Sequence, residues 1–136
     1  PFGKVSIPGK WERGRYLPNS HQQFFKNQDS TSIAISMALT NSYEFNRDGA
    51  LKGYDFAKSF YDWESEYLEK QKLKCGIEEL NKENGYIIYK VTAEDGHERY
   101  FLYGEKRGVA HNSPVSIPGK WDRDQTVEFL RDMFVK

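Results

Sequence analysis

The chain has 136 residues, and its twenty basic and twenty acidic side chains cancel, so no net field recruits nucleic acid or an anionic membrane. Nine Tyr, nine Phe and three Trp supply the bulk of a core, which excludes the low-hydrophobicity composition of a disordered chain. The length fits one domain, residues 1–136, and Cys75, the sole cysteine, excludes an internal disulfide.

In chain order, Val5 and Ile7 alternate with Lys4 and Ser6, which predicts a short strand ended by Pro8-Gly9. Residues 12–20 contain Gly14, Pro18, Asn19 and Ser20 and read as an irregular loop. Residues 21–26 read as a second strand, and 27–30 as its hairpin turn. Over residues 31–40, Ile33, Ile35, Met37 and Leu39 share one face, and Ala34, Ser36 and Ala38 the other. Those small residues predict close packing of a helix. Residues 41–53 form a loop, and residues 54–73 a helix whose apolar stripe is Phe56, Phe60, Trp63 and Tyr67.

The second half reads as a meander. A strand over 75–80 turns at Asn84-Gly85, a strong hairpin signal, into a strand over 86–93. Strands over 97–104 and 108–117 follow, and Pro114 in the last implies an edge position or a bulge. Asp122 or Asp124 then caps a helix to about Val135, with Val127, Leu130, Met133 and Phe134 as its stripe and Arg131 and Lys136 suited to its C-terminal dipole. Strands, helix, meander, helix is the order of an α+β fold, with a central antiparallel sheet of six or seven strands.

One segment occurs twice. Residues 5–13 read VSIPGKWER and residues 115–123 read VSIPGKWDR, with only Glu12 exchanged for Asp122. The structural account is of matched strand ends: Pro stops a strand, Gly turns it, and Trp covers the end of the core. The functional account places Lys10, Trp11, Lys120 and Trp121 side by side on one rim as a binding surface, because Trp beside cations is a hot-spot composition. Different flanking sequences exclude duplication of a whole domain.

Other chemistry is sparse. His21, His97 and His111 lie on different elements without ligand spacing, so no metal site is expected. Cys75 lies away from any predicted helix N-terminus and reads as a small hydrophobe. There is no G-x-S-x-G elbow and no phosphate-binding glycine loop. Glu78, Glu79, Glu83, Glu94, Asp95 and Glu98 read as a solvated face balanced by Lys82, Lys90 and Arg99. Tyr86, Tyr89, Tyr100, Tyr103 and Phe101 read as cross-strand aromatic pairs, with a stacking platform as the competing account.

The strand ending in Ile7-Pro8 with Trp11 shortly after, the hairpin into Ile33-Ala34-Ile35-Ser36, the long helix, and the late strands leading to Trp121 and Phe129-Leu130-Met133-Phe134 resemble the PsbP-like and Mog-type family over nearly the whole chain. The resemblance implies a central antiparallel sheet with one helix on each face. The family includes a photosystem accessory protein, a Ran-binding transport factor and bacterial envelope proteins, and it implies no shared active site. The expected function is therefore a non-catalytic accessory or protein-binding module without cofactor, exported and bacterial. A small ligand-binding domain or hydrolase with a pocket near residues 41–53 is the alternative, since long loops are often functional. No apolar stretch reaches the ~20 residues that span a bilayer. The start at Pro1 instead of Met carries the expectation of a removed leader and a periplasmic or envelope location, with the cytoplasm as the alternative.

Overall fold

The computed structural model describes residues 5–116 and 121–136. Seven strands form one open antiparallel sheet: β1 (Glu12–Leu17), β2 (Gln22–Lys26), β3 (Ser32–Leu39), β4 (Lys74–Asn81), β5 (Tyr86–Thr92), β6 (Glu98–Lys106) and β7 (Val109–Ser116). Their order across the sheet is β1-β2-β3-β7-β6-β5-β4. Helix α1 (Gly53–Lys70) carries the chain from β3, in the middle, to β4, at the far edge, and the β4–β7 meander returns it beside β3. Helix α2 (Arg123–Val135) closes the chain.

Side chains alternate along β5 and divide between two clusters. Tyr86 and Ile88 join Tyr100, Leu102 and Val115 against Val127, Leu130, Met133 and Phe134 of α2. Ile87, Tyr89 and Val91 join Tyr103 and Ala110 against Phe56, Ala57 and Phe60 of α1. Phe60 stacks on Tyr103 with ring centroids 3.9 Å apart. On α1 the predicted stripe is only half right, since Trp63 and Tyr67 remain 43% and 58% exposed.

Both helices are capped from outside their ordinary signals or by them in full. Lys52 gives α1 no side-chain cap, and the buried Glu105 of β6 accepts from the Gly53 N–H instead, at 3.3 Å. Gly85, at φ +73°, lets the β4–β5 turn approach this helix start: a Cβ there would stand 3.1 Å from the Gly53 Cα. Asp122, not Asp124, caps α2 in a reciprocal box with Gln125, at 2.8 Å and 3.0 Å. Asp122→Ala is expected to cost about 1 kcal/mol in urea unfolding, and Asp124→Ala clearly less. At the other end, no basic residue of α2 serves the last turn. Lys106 of β6 does so by donating to the Phe134 carbonyl, while its Nζ stands 4.3 Å from the centre of the Phe134 ring. Arg131 turns instead to Glu79, and Lys136 to Asp132.

Three expectations are corrected. Residues 5–7 are not a strand, although Val5 and Ile7 pack against the α2 cluster. The first strand is β1, within the predicted loop, so the two repeated segments are not matched strand ends. Five of its six residues, Glu12, Arg13, Gly14, Arg15 and Tyr16, are exposed, and of these only Tyr16 carries an apolar ring, so β1 shows no apolar alternation. Its register shifts between Arg13 and Tyr16, and Gln23 Nε2 donates to the carbonyls of Gly14 and Arg15 there. Finally, Pro114 occupies neither an edge nor a bulge. β7 is a central strand, and its pairing with β3 jumps from Ile33↔Val115 to Ser36↔Asn112 without a shift in register. The missing Pro N–H thus leaves a gap in the ladder.

The paired glutamates also differ from a solvated face. A register shift between Ile77 and Glu79 interrupts the alternation of β4. Glu78 meets Arg123 at 3.5 Å, and Glu79 bridges Arg131 at 2.9 Å and the Tyr86 hydroxyl, which donates to it at 2.7 Å. These contacts tie α2 to the β4 edge.

Candidate functional site

The repeated segment builds the most distinctive surface. Following the Pro8-Gly9 bend, with Gly9 at φ +95°, Trp11 turns back so that its Nε1–H donates to the Pro8 carbonyl at 2.7 Å. The bend thereby fixes the indole. Trp121 sits just before the α2 cap, and Phe129 lies two turns further along that helix. The three rings meet: Trp11 and Trp121 are edge-to-face at 6.2 Å, and Phe129 is 5.4 Å from Trp11 and 5.0 Å from Trp121. Such geometry suits the aromatic quadrupole. Both indoles are half-buried, packed below on the α2 cluster and open above.

Beside Trp11 is a cavity of about 350 Å³ lined by Lys10, Trp11, Glu12, Lys26, Asn27 and Gln28. The β1–β2 register sets Lys26 opposite Glu12 and so next to Trp11. Asn27 holds the following turn by accepting from the Asp29 and Thr31 N–H groups. Of the four predicted residues, the structure brings Lys10, Trp11 and Trp121 to one place. Lys120 lies outside the described residues. Lys26, Asn27, Gln28 and Phe129 were missed. Only the strand register brings the first three in, whereas Phe129, eight residues beyond Trp121 on a predicted helix, carried a usable signal.

The remaining candidates do not assemble. His21 Nδ1 is 3.3 Å from the Tyr16 hydroxyl, His97 Nδ1 is 2.8 Å from Asp95, and His111 lies in β7 against the Phe134 ring. Among the described residues no group of three or more His, Cys, Asp or Glu is placed to hold a metal ion. The His97 backbone N–H, which donates to Asp95 Oδ1 at 3.0 Å, followed by the His97 ring, holds the exposed Asp95 carboxyl below its usual range. Burial, followed by the Glu69 and Glu64 carboxylates, pushes the Cys75 thiol up, the opposite of an activated nucleophile. Burial also raises Glu64.

The four meander tyrosines are core residues. Tyr89 stacks on Phe101 at 5.1 Å and meets Tyr103 edge-on at 4.9 Å, and burial raises both phenols. Beneath residues 41–53, Tyr43 and Phe45 fill the space against Phe56, Phe60 and Trp63. Asn46, 1% exposed, cross-links that loop to Thr40 and Leu51. No described helix is long and apolar enough to cross a membrane.

No protein-family model matches the chain, and no curated protein matches it.

Proposed function

We propose that this chain is a non-catalytic accessory or protein-binding module of PsbP-like architecture, a sheet layered between one helix on each face, working in a bacterial cell envelope. The layered reading is supported by the division of alternate β5 residues between the two helix clusters. The binding reading rests on one observation: Trp11 and Trp121 meet edge-to-face at a half-open rim beside Lys10 and Lys26. Trp is the residue most enriched at interface hot spots, where a packed base and an excluded-water rim let one ring contribute several kcal/mol. Cations beside the rings favour a partner that presents carboxylates there.

The test is affinity capture from an envelope fraction with the wild-type chain and a Lys10→Glu/Lys26→Glu variant. Both positions are exposed, so the variant keeps the fold. A partner held by the wild type and released by the variant supports the reading. Equal capture by both removes the rim from it.

A further inference from the structure

A second feature lies away from the tryptophan rim and shares no residue with the aromatic triad. A cavity of about 500 Å³ opens between the C-terminal end of α1 and the β5–β6 hairpin, over Leu68, Leu73, Val91 and Ala93. It reaches Phe101 and Arg99. A smaller cavity of about 220 Å³ starts from the same two residues and runs over Ala34 and Pro114 to Phe24, where the β3–β7 ladder is interrupted. Together they make a groove that is mostly apolar and has Arg99 at its middle. The larger part has the size of an ordinary small-molecule site.

Arg99 lines both cavities, and among the described residues no Lys and no other Arg lines either one. Arg99 is exposed, and two carboxylates of the same hairpin are engaged elsewhere: Glu98 with Lys90 at 3.0 Å, and Asp95, at the cavity rim, with His97 at 2.8 Å. Among the described residues Arg99 has no ion-pair partner, in contrast to Arg123 and Arg131, which hold Glu78 and Glu79. A planar guanidinium suits bidentate capture of a carboxylate. An extended peptide is disfavoured as occupant, because β5 and β6 are paired on both sides and offer it no free ladder.

We propose that this groove binds a long-chain monocarboxylate, with the alkyl chain in the larger cavity and the carboxylate on Arg99. The contributions separate by chemistry. Each methylene that enters the cavity leaves water, and the head group meets a cation that has no other partner.

Isothermal titration with octanoate, decanoate and dodecanoate, each below its micelle concentration, tests this. Saturable binding of one molecule is expected, tightening about fourfold per added methylene until the cavity is full. Arg99→Gln should weaken dodecanoate binding about tenfold or more. Leu73→Trp, which fills the cavity and leaves Arg99 in place, should weaken dodecanoate far more than octanoate. Near-UV circular dichroism checks that both variants keep the native packing. Lys10→Glu/Lys26→Glu should leave dodecanoate binding unchanged. The proposal is overturned if dodecanoate does not saturate, if dodecyltrimethylammonium binds as tightly, or if Arg99→Gln binds as the wild type does.

Discussion

Gly104→Val is expected to destabilise the fold by about 3 kcal/mol, which for a chain of this size lowers Tm by about 10 °C. Gly104 lies in β6 under the Phe134 ring, and a Cβ there would stand 2.5 Å from Phe134 Cζ. The ring cannot withdraw cheaply. Its edge or face meets Tyr86 at 5.8 Å and His111 at 5.2 Å, and the Lys106 ammonium lies over its face at 4.3 Å from the centroid. Overpacking here therefore moves the last turn of α2 off the sheet. Gly104→Ala should cost less than valine, because only one methyl must be fitted. The mechanism predicts its own rescue: with Phe134→Ala in place, the further cost of Gly104→Val should fall well below 3 kcal/mol in a double-mutant cycle. Additive costs would mean that the ring is not what excludes a side chain at this position.

The second large effect is a loss of stability in mild acid that depends on His111. Burial, with the Lys106 cation added, holds the His111 imidazole down at about 4 from the usual 6.5. The folded protein thus keeps His111 neutral where the unfolded chain protonates it. Between these values the unfolded state binds more protons, so stability is greatest above pH 6.5 and declines as the pH falls toward 4. The full decline attributable to this one ring is about 3 kcal/mol. His111→Leu should flatten the dependence between pH 6.5 and 5, where carboxylates contribute least, as measured by urea unfolding at each pH. An unchanged slope in the variant would place the acid sensitivity elsewhere.

Much of this fold is written in local chemistry, and what is not depends on tertiary register. The helix over α1, the Asn84-Gly85 hairpin, the Asp122 cap and the β5–β6 aromatic strands follow from periodicity, turn residues and capping. β1 was hidden because an edge strand facing water needs no apolar alternation, and its charges suit an edge that must not aggregate. Pro114 misled because the rule concerns a lost ladder bond, and a central strand tolerates that loss where the ladder opens over a cavity. Glu78 and Glu79 looked like a solvated pair because alternation sends neighbours to opposite faces, and only the register shift in β4 lets both engage α2.

The candidate site divides in the same way. The repeated VSIPGKW segment pointed to Trp11 and Trp121 as partners, and the indoles do meet, although through a bend and a helix start and not through paired strands. Lys26 was invisible because it comes from another strand through the β1–β2 register. Arg99 had looked like one of several balancing cations. Its lack of a partner emerges only once Lys90 is seen to take Glu98 and His97 to take Asp95.

The claim that the tryptophan rim is the working surface is tested most directly by site-specific photocrosslinking in the native envelope. A photoreactive residue at position 10, beside Trp11, is compared with one at the exposed position 70 at the end of α1. A discrete protein adduct from position 10 and none from position 70, lost when Lys26→Glu is added, is the predicted result. Adducts of the same pattern from both positions, or from position 70 alone, would contradict it.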